Sequence, residues 1–145
     1  MASRQRERNT RGTILLVDHD GNLHEELYGA FRPAGYEVLH VDTAEQAFEE
    51  CLEREPVCVL HALTLRPSDD HSGSVRAALS SIRAIRDRFE LIPIVVLRPS
   101  RTWAHAAERQ ALRCGGDLSV RALDIEGIVS ATRRVVGRVS RRVAS

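Results

Sequence analysis

The feature that most constrains this chain is an alternation. Five short apolar runs, each stopped by turn residues, are each followed by a stretch with helical spacing. Thr13–Val17 closes on Asp18-His19-Asp20-Gly21 and reads as a buried strand stopping at a turn. Leu23, Leu27, Ala30 and Phe31 then recur at helical spacing, and Pro33 with Gly35 ends that helix. Tyr36–Val41 is a second strand. Thr43 followed by Gln46 predicts a capping box opening a helix to about Arg54, with Ala44, Ala47, Phe48, Cys51 and Leu52 inward. Pro56 introduces Val57–Leu60, apolar on both faces as a central parallel strand should be.

The second half repeats the pattern. A helix from about Ser74 to Phe89 turns Val75, Leu79, Ile82 and Ile85 inward, and Leu91–Leu97 is a fourth strand. Ser100 can cap a helix to about Arg113. Gly115-Gly116 leads into a short fifth strand at Leu118–Val120, and Asp124 can cap a last helix carrying Ile128, Val129, Val135 and Val136. Strands that alternate with helices require crossover connections, hence an α/β fold with a parallel sheet. Ligand crevices in such sheets lie beyond the carboxyl ends of the strands. That singles out Asp18–Asp20, His61–Leu65, Arg98–Ser100 and Arg121.

Composition narrows the function classes. The 145 residues suit one domain: an arginine-rich tail over 1–11, a folded unit over 12–137, and a basic tail or helix end over 138–145. No apolar run is long enough to span a membrane, and no apolar segment follows the N-terminal charges, so a cytoplasmic protein without a membrane role is expected. Cys51, Cys58 and Cys114 show no C-x-x-C spacing, which argues against a zinc site or disulfide framework. Cys58 reads as a small buried hydrophobe. All 21 basic residues are arginine. Any chemistry that needs a lysine is therefore excluded.

Five segments, in order, resemble the receiver domain of two-component response regulators. They are Ile14–Asp20, Ala34–Val38, Glu55–Leu60, Ile92–Leu97 and Arg121-Ala-Leu-Asp124. The resemblance implies a three-layer α/β/α sandwich of the flavodoxin or CheY-like kind, with strand order 2-1-3-4-5. It also implies phosphoryl transfer to an aspartate, assisted by acidic Mg²⁺ ligands, a hydroxyl and a lysine. Matched position by position, the acceptor falls at Ala62, whose methyl group cannot form an acyl phosphate. The second acid of the pair is His19, the hydroxyl position is Arg98, the switch aromatic is Leu118 and the lysine is Arg121. Asp18 alone stays in place, with Asp20 one step beyond; these two are the weak metal candidates, and no cofactor is expected.

The expected module is therefore a receiver-like protein that is not an enzyme and acts by binding. Arg98 and Arg121 are placed to reach Asp18 and supply the charge a metal and lysine would, or else to point into solvent. His19, His61 and Asp18 form a lesser transition-metal alternative. Trp103, in the first turn of the fourth helix beside Arg101 and near His105, marks an interaction surface. The partner expected there is a regulatory protein, or a second copy through helix four, strand five and helix five. Nucleic acid bound by the arginine-rich ends is the alternative, set back by the lack of a helix-turn-helix segment and of stacking aromatics.

Overall fold

The computed structural model describes residues 11–19, 23–65 and 74–144. Five parallel strands form one sheet in the order β2-β1-β3-β4-β5. They are β1 (Gly12–Val17), β2 (Tyr36–Val41), β3 (Cys58–Ala62), β4 (Ile94–Arg98) and β5 (Leu118–Arg121). The helices are α1 (His24–Phe31), α2 (Ala44–Arg54), α3 (Ser74–Arg88), α4 (Ala104–Cys114) and α5 (Ile125–Ala144). The α/β fold expected from the sequence is the one observed.

The pleat sends alternate residues of each central strand into two separate cores. Leu15, Val17, Val59, Ile94 and Val96 pack under α2, α3 and α4, with Ala47, Cys51, Ala78, Ile82, Ile85, Ala107 and Ala111. Ile14, Leu16, Cys58, Leu60, Val95 and Leu97 pack under α1 and α5, with Leu27, Phe31, Ile128 and Val135. Small residues on α2 and α4 let helices lie close to the sheet without aromatic filler. Gly12, at φ +135°, sits where an added Cβ would come within 2.5 Å of Val57 Cγ1, so only glycine fits as the chain enters β1.

Helix ends follow the sequence in part. Thr43 Oγ1 accepts the Gln46 N–H (3.2 Å), while Gln46 Oε1 accepts from the Asp42 N–H (3.3 Å), one residue before the expected Thr43. Asp124 Oδ1 accepts the Gly127 N–H at 2.9 Å and caps α5. Ser100 caps nothing: Arg101 N–H bonds Pro99 O, Ala104 N–H bonds Arg101 O, and these two turns delay α4 until Ala104. Leu52 is 46% exposed, because the narrow inward stripe of α2 is filled by Ala47 and Cys51. Leu91 also lies outside, preceding β4 rather than within it. Residues 138–144 continue α5 without a break. The N-terminal arginine-rich segment to residue 10, and the loop over 66–73, lie outside the described residues.

Candidate functional site

Among the described residues, two depressions lie at the carboxyl ends of the strands, on either side of Pro99. The smaller, of about 200 Å³, is bounded by Asp18, His19 and Leu23 on one wall and Ala62, Thr64 and Leu97 on the other; Leu63, Pro99, Ala122 and Leu123 complete it. Its floor is apolar, since Leu23 and Leu97 belong to the core under α1 and α5. Asp18 is 8% exposed and held by β2 at both ends of its backbone. Its N–H bonds Val41 O at 3.1 Å, and its carbonyl accepts from His40 Nε2 at 2.7 Å. His19 Nδ1 lies 3.4 Å from Asp18 Oδ1 and 3.1 Å from Thr64 Oγ1. Ala62 closes β3 opposite Leu97.

Among the described residues, the donors of this cavity are one carboxylate, one hydroxyl and one imidazole. That set does not fit Mg²⁺, which asks for near-octahedral oxygen ligation. No cluster of three His, Cys, Asp or Glu side chains is placed to hold a metal among the described residues. Asp20, the further metal candidate, lies outside them.

The structure sends Arg98 away from Asp18. Arg98 shares the pleat side of Ile94 and Val96 and therefore faces α4, where its Nε lies against Glu108 Oε2 in an ion pair. The buried Nε–H is not aimed well enough at any acceptor to count as a hydrogen bond. Ser119 Oγ donates to the same Glu108 oxygen at 2.7 Å. Glu108 thus ties the end of β4, α4 and β5 together. Arg121 pairs with Arg98 in register and is exposed. Both arginines line the second depression, of about 440 Å³, with Ser100 and Asp124. Leu118, on the opposite pleat side from Ser119, packs against the core under α5.

His61 is also directed away from the cavity. It is fully buried beneath α3, with Nδ1–H donating to Ala62 O (2.7 Å) and Nε2 accepting from Ser81 Oγ (2.8 Å). Burial lowers its pKa to about 4, only partly opposed by the Ala62 hydrogen bond, so the ring is neutral. With both nitrogens engaged, it offers no ligand to a metal shared with His19 and Asp18. Burial likewise pushes the Cys58 thiol up to about 12, in keeping with a packing role.

Trp103 stands at the N-cap position of α4 and is 43% exposed, so it does not pack into the sheet. Arg101 and His105 beside it are exposed. Sequence reasoning passed over Leu123, which is 81% exposed on the ridge shared by the two depressions. It also passed over Glu108 and Ser119. Alternation of Leu118 and Val120 in β5 was the available signal that Ser119 faces the other way.

No family model matches the sequence, and no curated protein matches it. Solved structures do. The chain is similar to the signal receiver domain of a signal transduction histidine kinase from Syntrophus aciditrophicus, at 20% identity and TM-score 0.71, covering 90% of this chain and 93% of that one. It is similar to a LuxR-family two-component response regulator from Aurantimonas sp. SI85-9A1, at 23% identity and TM-score 0.69, covering 87% and 85%. NtrX from Brucella abortus aligns at 18% identity and TM-score 0.76, covering 92% of this chain and 29% of that one. At these identities the shared property is the fold, that of response-regulator receiver domains.

Proposed function

We propose that this chain is a receiver-like module of two-component-type signalling that works in the cytoplasm by binding a regulatory protein partner, without catalysis or phosphorylation. The observation that carries the reading is the cavity itself. A methyl group, Ala62, ends β3 where the resemblance expects the phosphoacceptor. Among the described residues, the two strand-end arginines do not converge on Asp18: Arg98 is engaged by Glu108 on α4, and Arg121 lines the neighbouring depression. Receiver phosphorylation needs positive charge on the transferring group. Arg98 and Arg121, which stand where the resemblance expects the hydroxyl and the lysine, direct their charge elsewhere.

The partner surface is the rim formed by Arg101, Trp103 and Leu123, large apolar side chains left in water beside exposed arginine. Two experiments test the reading. Beryllofluoride with Mg²⁺ is expected to leave amide resonances around Asp18 and Ala62 unmoved, and acetyl phosphate to add no mass. Ala62→Asp alone is expected to stay silent in both assays, because one carboxylate restores neither the cation nor the metal ligands. Incorporation of phosphate by the wild-type chain at any residue of the cavity would sink the proposal. On the partner side, Trp103→Ala and Leu123→Ser should each weaken binding at least tenfold, in the range of interface hot spots of about 1.4 kcal/mol or more.

A further inference from the structure

We infer that the chain associates head to tail with a second copy of itself, the acidic stripe of α2 on one copy seated against the arginine stripe of α5 on the next. On α2, Glu45, Glu49 and Glu53 are exposed at four-residue spacing, with exposed Leu52 beside them. On α5, Arg134, Arg138 and Arg141 are exposed along one side. At 1.5 Å per residue the two stripes run about 12 Å and about 10 Å, so they match in length as well as in sign.

None of these six side chains has a hydrogen-bond or ion-pair partner among the described residues, whereas Glu50 on the same helix is paired with Arg54 at 3.0 Å. Like charges three or four apart on a helix disfavour it, and no described side chain pairs with them: Glu90 and Asp117, which line a cavity with Arg138 and Arg141, form no ion pair with either. They cannot offset each other internally, because α2 and α5 cover opposite faces of the sheet. A second copy can satisfy both stripes at once. A net charge of only +1 puts no general repulsion between copies. A polyanion could occupy the arginines but would leave the acidic stripe and Leu52 unmatched. The contact joins unlike surfaces, so it is heterologous and leaves the Trp103 rim free.

Sedimentation velocity of the full chain against concentration and salt tests this. At about 50 mM salt the wild-type chain should associate, and the apparent Kd should rise about tenfold or more by about 300 mM, where screening shortens the reach of exposed charges. The triple reversal Glu45→Arg, Glu49→Arg, Glu53→Arg should remain monomeric, as should Arg134→Glu, Arg138→Glu, Arg141→Glu. Mixing the two variants should restore association, since each then supplies the stripe the other has lost. If a triple reversal fails to fold by circular dichroism, Glu49→Gln and Arg138→Gln serve instead, each expected to weaken association.

A wild-type chain that stays monomeric at every salt concentration overturns the inference. So does association that survives both reversals, or that is abolished by Trp103→Ala, which would mark a symmetric contact through α4, β5 and α5. Binding of duplex DNA by a monomeric wild type, lost on arginine reversal, would assign the α5 stripe to nucleic acid and also overturn it.

Discussion

The two sides of the sheet's carboxyl edge treat polar groups in opposite ways. Under α1 and α5 the edge ends in a small, apolar-floored cavity whose acid, Asp18, is held through its backbone by β2. Under α4 the side chains bind one another, Arg98 and Ser119 both converging on Glu108. The difference is set by the pleat. Residues two apart share a side, so Arg98 follows Ile94 and Val96 toward α4, whatever charge stands across the edge. A residue's place at a strand end therefore does not say which chemistry it joins; its parity does.

That comparison can be broken at several points, the largest effect first. Leu97→Ala removes the fully buried floor of the cavity and is expected to cost about 2–5 kcal/mol of stability, read by urea unfolding. A smaller loss would mean that the cavity side collapses easily and is less rigid than its packing indicates.

Next is the buried imidazole. The pKa of His61 is depressed to about 4 in the fold, against about 6.5 in the unfolded chain. The unfolded chain takes up the proton first as pH falls. Its contribution is thus complete above about pH 6.5 and lost progressively toward pH 4, amounting to roughly 3 kcal/mol. Denaturation at pH 7 and pH 4.5 should show a smaller drop in His61→Leu than in the wild type, even though the variant starts less stable. Equal drops would assign the acid sensitivity to carboxylates instead.

Smaller again is the α4 brace. Glu108→Ala removes the ion-pair partner of the partly buried Arg98 and the acceptor of Ser119, and should cost about 1–2 kcal/mol. A double-mutant cycle of Arg98→Ala with Glu108→Ala should return a coupling of at most about 1 kcal/mol, because water still reaches both side chains. Arg121→Ala, exposed on the same edge, should change stability by less than about 0.5 kcal/mol. If Arg121 matters more than Arg98, the brace is not what organises this side.

Much of the fold was legible because parallel strands covered on both faces are written as nearly unbroken apolar runs. Leu15–Val17, Val59–Leu60 and Ile94–Leu97 could be little else. Thr43 and Asp124 announced their helices because capping is chemistry local to four residues. Ser100 misled for the same reason in reverse: a capping side chain is useless when the next residues are drawn into turns by Pro99 and Arg101. Leu52 misled because an apolar residue at the margin of a helical stripe is decided by a neighbour's size, which spacing does not encode.

The site was legible as a place but less so as an arrangement. Asp18, His19 and Ala62 do line one cavity. Arg98 was located correctly at the edge, but its direction depended on strand parity beyond the apolar run, where hydrophobicity stops signalling. Glu108 gave no local sign at all, since its partners lie ten and eleven residues away on two strands.

The placement of Trp103 has an optical consequence. As the sole tryptophan, already 43% exposed in the native state, it should change its emission less on unfolding than a buried indole would. Fluorescence will therefore follow melting poorly, and far-ultraviolet dichroism of the five helices is the better signal. The same exposure makes the indole an unlabelled reporter for anything that covers the start of α4: a partner seated there should shift its emission to the blue.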